Sequence, residues 1–129
     1  LHIQPDLFEA AYSLGLLLVE MNRPVEALEY LARASDGMPQ RSRIHYNLGL
    51  LYQQQGELPR AEAKLVEALD VEPENLDFQY ALADHYVKRG LYEQAMQVAQ
   101  LMMRTHPENP VGSQIMQYIQ GLVRQEETR

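Results

Sequence analysis

The 129-residue chain contains no cysteine. Disulfides, thiolate metal sites, cysteine nucleophiles and covalent haem attachment are therefore excluded within it. The compartment stays open, since a cysteine-free domain tolerates either redox environment. Basic residues are also scarce: 11 Lys and Arg stand against 18 Asp and Glu, a net charge of −7 at pH 7. Phosphate backbones are gripped by clustered Lys and Arg. Nucleic acid is thus not the expected partner, and a neutral or basic protein segment suits the surface better. No apolar run approaches the roughly 20 residues of a membrane-spanning helix. The longest, Leu14 to Val19, is short and contains Gly15. A soluble protein, cytoplasmic or periplasmic, is expected, with no membrane insertion by this segment.

Catalytic signatures are missing as well. The chain has no Gly-rich phosphate loop, no G-x-S-x-G elbow and no zinc spacing. His45 and His85 have no second His at i+4 and no His-Glu-x-x-His pattern, so they read as solvent-exposed or packing residues. Asp84 and His85 are adjacent, and neighbours on a helix point apart. No enzyme activity, no cofactor and no metal site is expected. Met96, Met102, Met103 and Met116 crowd the last third. They suit gap-filling, or an adaptable binding surface.

What the chain does have is a period. Pro5, Pro39, Pro73 and Pro107 each follow the last by 34 residues. The same step links Leu14, Leu48 and Leu82, then Gly15, Gly49 and Ala83, then Asn22, Gly56 and Gly90, then Ala27, Ala61 and Ala95. A fixed period of this length marks stacked supersecondary units.

Each period holds two helical patterns. The first pair runs over about 8–21 and 24–35, the second over 42–54 and 58–71, the third over 76–89 and 91–105. Asn22, Gly56 and Gly90 stand where the first helix of each pair ends, and these residue types best tolerate a left-handed backbone. Pro24 and Pro59 fit a first helical turn, and Ser42 fits an N-cap. The recurring Gly and Ala let paired helices approach closely, while Leu14, Leu48 and Leu82 fill the seam. From Pro110 onward, Val111, Ile115, Tyr118, Ile119 and Leu122 form one apolar stripe, opposite Gln114, Gln117, Gln120 and Arg124. That pattern predicts a closing helix with a polar outer face and a frayed end from Glu126. Leu1 to Pro5 aligns with Leu69 to Pro73, the end of a unit. The chain therefore reads as the C-terminal portion of a longer array.

Tyr46, Leu48, Gly49, Tyr52, Gly56, Ala61, Leu65, Ala68 and Pro73 together resemble the tetratricopeptide repeat. The first unit keeps Leu14, Gly15, Ala27, Leu31, Ala34 and Pro39. The third keeps Leu82, Tyr86, Gly90, Ala95 and Pro107, and departs at Ala83, Ala99 and Met102. The tryptophan usual near the start of the first helix is replaced by Ala11, His45 and Gln79. The resemblance implies an all-α, right-handed superhelix of three helix pairs. The units would be 8–41, 42–75 and 76–109, after a repeat tail at 1–7 and before a capping helix at 110–129. First helices would line a concave groove that binds a peptide or partner helix.

In that register the groove carries Tyr12 and Leu16 from the first unit, then Arg43, Tyr46, Asn47 and Leu50, then Asp77, Tyr80, Asp84 and Lys88. Glu9, Val19, Gln54 and Val87 share the same surface. Tyr12, Tyr46 and Tyr80 form a row, suited either to packing between adjacent first helices or to recognition. Asn47 is the foremost recognition candidate, since its amide can donate to a carbonyl and accept from an N–H. Arg43, Lys88, Asp77 and Asp84 either set ligand polarity or are solvated charges. Chaperone-binding relatives clamp a C-terminal carboxylate with Asn and basic residues. Here Tyr12, Leu16, Asp77 and Ala81 occupy the partner positions, and Asp77 would repel such a ligand.

The function expected is a protein–protein interaction module with a protein or peptide partner. Two alternatives are a structural spacer or self-association domain, with dimerisation through the N-terminal edge at Leu1, Ile3 and Leu7, and a docking or regulatory tail of a larger enzyme or multihaem cytochrome.

Overall fold

The computed structural model describes residues 5–129, with side chains from residue 7. They fall into two compact units, the first ending at Val71 and the second running from Glu72 to Arg129. The first holds α1 (Pro5–Glu20), α2 (Pro24–Gly37), α3 (Ser42–Gln54) and α4 (Leu58–Val71). The second holds α5 (Leu76–Lys88), α6 (Tyr92–Thr105) and α7 (Val111–Glu127). No strand occurs among the described residues. Within the units α1 pairs with α2, α3 with α4 and α5 with α6, while α3 also packs on α2 and α7 on α6.

Local chemistry explains the hairpin turns. Asn22, Gly56 and Gly90 all adopt positive φ, at 58°, 76° and 72°. This left-handed residue reverses the chain so that Arg23, Glu57 and Leu91 donate their N–H to the carbonyls of Leu18, Tyr52 and Tyr86, each at 2.9 Å. Carbonyls orphaned at the helix end are thereby satisfied.

The small residues earn close approach where expected. A methyl on Gly15 would lie 2.6 Å from Leu31 Cδ2. Leu31 stands against the first helix with Leu18, Ala27, Ala34, Ile44, Leu48 and Leu51 in one buried cluster. In the second unit, Ile119 of α7 is buried with Ala95 and Ala99, flanked by Tyr86, Tyr92, Met96 and Met116. Two of the late methionines thus fill gaps between α6 and α7.

The absent tryptophan is replaced by polar bridges. His45 Nε2 lies 2.8 Å from the Pro39 carbonyl, and its Nδ1 lies 3.0 Å from Ser35 Oγ. A carbonyl only accepts, so Nε2 carries a proton. One period later, Gln79 Nε2 donates to the Pro73 carbonyl at 2.8 Å and to Thr105 Oγ1 at 3.0 Å. Both His45 and His85 are buried, so packing, not solvent, is their setting.

Several expectations need correction. Ser42 does not cap α3: it is the first helical residue, and Arg41, whose carbonyl accepts from Ile44 N–H, occupies the cap. The side-chain cap belongs instead to Asn75, whose Oδ1 accepts from Phe78 N–H at 3.1 Å. Leu14 does not fill a seam. It is 38 % exposed where Leu48 is 0 %, because among the described residues no helix packs before α1 as α2 does before α3. α1 starts at Pro5, so residues 5–7 belong to its first turn, and α7 stays helical through Glu127. The reading of Leu1 to Gln4 as a repeat tail lies outside the described residues.

Candidate functional site

The residues expected in the groove fall into separate groups. In the first unit, Tyr12 on α1 and Asn47 on α3 are both half-buried. Asn47 Nδ2 donates to the Tyr12 hydroxyl at 3.1 Å. A primary amide has two donors and a carbonyl acceptor, so this bond leaves one N–H and Oδ1 for another group. Beside the amide, Leu16, Val19, Leu50, Leu51 and Gln54 complete a shallow pocket of about 150 Å³. Its floor is apolar, and Asn47 and Gln54 supply its polar rim.

The Tyr12 ring has a second contact. The Arg41 guanidinium sits 5.5 Å from the ring centroid and forms an ion pair with Glu9. The Glu9 hydrogen bond and charge raise the Arg41 pKa above its ordinary value. Tyr46 is likewise covered, by Arg43 at 5.2 Å. These two expected site residues therefore contact each other.

In the second unit, Tyr80 and Asp84 of α5 meet Ile115 and Tyr118 of α7, with Val87, around a cleft of about 90 Å³. Tyr80 is 51 % and Tyr118 62 % exposed, although both are large aromatics. Lys88 Nζ pairs with Asp84 Oδ2 at 2.8 Å, one turn along α5. Asp77 lies in the first turn of α5, outside the cleft, where the helix dipole favours a carboxylate.

The sequence pattern places Ile115 and Tyr118 on the apolar stripe of a closing helix, but Tyr118 is exposed. The register carried the signal. Ile115 stands one period after Ala81 and two after Asn47, while Tyr118 stands one after Asp84 and two after Leu50. In sequence register, α7 thus repeats the positions expected to face the groove on α3 and α5. Tyr92 marks the far end of α7: burial raises its phenol pKa, assisted by the charge of Glu126 and a hydrogen bond to it.

Among the described residues no helix is long and apolar enough to cross a membrane, and no group of three His, Asp or Glu could hold a metal ion.

No curated protein matches the chain in sequence. Solved structures do match in fold. The first TPR of Spaghetti (RPAP3), bound to an HSP90 peptide SRMEEVD, is 12 % identical with a TM-score of 0.77, covering 95 % of this chain and 99 % of that one. MamA is 20 % identical with a TM-score of 0.78, covering 90 % and 68 %. A tetratricopeptide repeat protein from Parabacteroides merdae is 20 % identical with a TM-score of 0.84, covering 92 % of this chain and 48 % of its own. All three are similar to this chain in its all-α architecture. Two family models described as tetratricopeptide repeat match residues 46–110 and 18–65. One of them spans half of the sequence, and with the 34-residue period and the three left-handed turns it shows that the chain belongs to the tetratricopeptide repeat family.

Proposed function

We propose that this chain is a non-catalytic interaction module that binds a peptide or helix of a partner protein on its first helices. The Asn47–Tyr12 bond carries the reading. It holds a partly unsatisfied amide at the rim of an apolar pocket, the pairing that lets one side chain be buried while a backbone group is matched. Leu16 and Leu50 supply the apolar contact in the first unit; Tyr80 and Asp84 offer a separate candidate surface within the second. The Spaghetti domain, a structural neighbour, holds a peptide, which supports the class of ligand but not its sequence. That peptide contains two glutamates and an aspartate, whereas α5 carries Asp77 and Asp84, and these carboxylates disfavour an acidic guest there.

Affinity capture with the intact chain, followed by titration of the captured partner, tests the assignment. Asn47→Ala should weaken binding about tenfold, the effect of leaving a buried polar partner unmatched. Unchanged affinity in both Asn47→Ala and Tyr80→Ala would place the interaction elsewhere.

Self-association is the second reading, favoured by one observation. Leu7, Phe8, Ala11, Leu14 and Tyr30 surround an apolar pocket of about 370 Å³ on α1 and α2, and exposed patches of this kind mark contact surfaces. Leu1 and Ile3, also assigned to this edge, lie outside the described residues. Sedimentation equilibrium of the chain and of Leu14→Glu discriminates: a dimer lost on substitution supports this reading, and a monomer in both rejects it.

A further inference from the structure

The tyrosine row treats cations unevenly. Tyr12 lies under Arg41 at 5.5 Å and Tyr46 under Arg43 at 5.2 Å, and Tyr30, on α2, lies under Arg33 at 5.4 Å. Tyr80 holds the corresponding repeat position in the second unit, but the residues one period after Arg41 and Arg43 are Asn75 and Asp77. Among the described residues no guanidinium or ammonium lies over Tyr80 or Tyr118. In place of an internal arginine the second unit offers two exposed aromatic rings and the Asp84 carboxylate around one small cleft.

We propose that the α5–α7 cleft is a seat for an arginine side chain of the partner, held between Tyr80 and Tyr118 and against Asp84. The inference rests on the interaction reading above and names the chemistry of its ligand. Each part has a physical reason. A tyrosine face attracts a cation, and arginine stacks on it with its planar fork. A carboxylate at the cleft edge accepts two guanidinium N–H groups at once. Val87 and Ile115 give the aliphatic stem of arginine an apolar wall. Lys88 pairs with Asp84 in the free chain, but an exposed pair four residues apart is weak and solvent-screened, so an incoming guanidinium displaces it. The net charge of −7 draws a basic segment toward the whole chain.

The test uses three acetylated, amidated heptapeptides, Gly-Ser-Leu-Xaa-Leu-Ser-Gly, with arginine, citrulline or norleucine at Xaa. Citrulline keeps the planar shape and removes the charge; norleucine keeps only the stem. Binding to the intact chain is followed by NMR through the ring protons of Tyr80 and Tyr118. The arginine peptide should shift both rings saturably and bind about tenfold tighter than the citrulline peptide, as a partly desolvated cation over aromatic rings does. Asp84→Asn and Tyr118→Ala should each reduce that preference, and both positions are exposed enough to leave the fold intact. Equal binding of the arginine and citrulline peptides overturns the proposal, as does the absence of ring shifts with the arginine peptide at millimolar concentration. If either result came with a captured partner still weakened by Asn47→Ala, the cation seat would fall and the interaction reading would stand.

Discussion

Gly49 and Leu65 share one slot between α3 and α4: a methyl on Gly49 would lie 2.7 Å from Leu65 Cδ2 and 3.3 Å from the Ala61 carbonyl oxygen. The third repeat solves the same contact differently, with Ala83 and Ala99 at the corresponding positions, both buried. One methyl is added on the first helix and three carbons are removed from the second. Gly49→Ala should therefore cost about 1–3 kcal/mol by overpacking, and Leu65→Ala about 2–5 kcal/mol by the cavity it leaves. The double variant copies the third repeat. Its loss should be smaller than the sum of the two by about 1 kcal/mol or more, since the residues are in contact. Urea titrations of the four proteins measure the coupling; strict additivity would contradict the shared slot.

The left-handed turns make a second, cleaner case. Asn22 already adopts positive φ, but glycine tolerates it better. Asn22→Gly should stabilise the chain by a few tenths of a kcal/mol. Gly56→Ala and Gly90→Ala should each cost about 1–2 kcal/mol. No heavy atom lies within 4 Å of the added methyl at either glycine, so any loss reports backbone conformation alone. Thermal melts of the three variants decide it.

These turns were legible in the sequence because their chemistry is local: a residue type that permits positive φ recurs at a fixed step. Helix pairing was legible for the same reason, through Gly15, Gly49, Ala27 and Ala61. The candidate site was legible only in part. The register placed Tyr12, Leu16, Asn47 and Leu50 on one surface, but the Asn47–Tyr12 bond and the Arg41–Glu9 pair join residues more than thirty positions apart. No periodicity encodes such side-chain meetings. Leu14 misled because a repeat position predicts burial only where a neighbouring helix pair supplies the cover. Tyr118 misled because an amphipathic stripe does not say which of its members sits at the edge.

His45 and Gln79 illustrate a repeat position whose role survives a change of residue. Each donates to the carbonyl of the proline six residues earlier. His45→Gln should thus be tolerated to within about 1 kcal/mol, while His45→Leu should cost about 1–3 kcal/mol by leaving the Pro39 carbonyl without its donor. Denaturant midpoints of both variants measure this. Equal loss in the two would mean that shape, rather than the donated hydrogen bond, matters here.

Tyr92 gives the pH dependence. Its phenol has a pKa raised above 10 by burial first, then by the Glu126 carboxylate and a hydrogen bond to it. A raised value in the folded chain means that the fold binds this proton more tightly than the unfolded chain does. The associated stability is complete below the unfolded value and disappears as pH rises through the folded one. Ionising Tyr92 would set a phenolate beside Glu126, at the contact between the start of α6 and the end of α7. Tyr92→Phe removes the titrating group and keeps the ring. Its melting temperature should fall less steeply than that of the parent between about pH 9 and 11, where free tyrosine ionises. The other tyrosines are common to both proteins and cancel in the difference. Parallel curves for the two would show that Tyr92 keeps its ordinary pKa and that α7 is held without its hydroxyl.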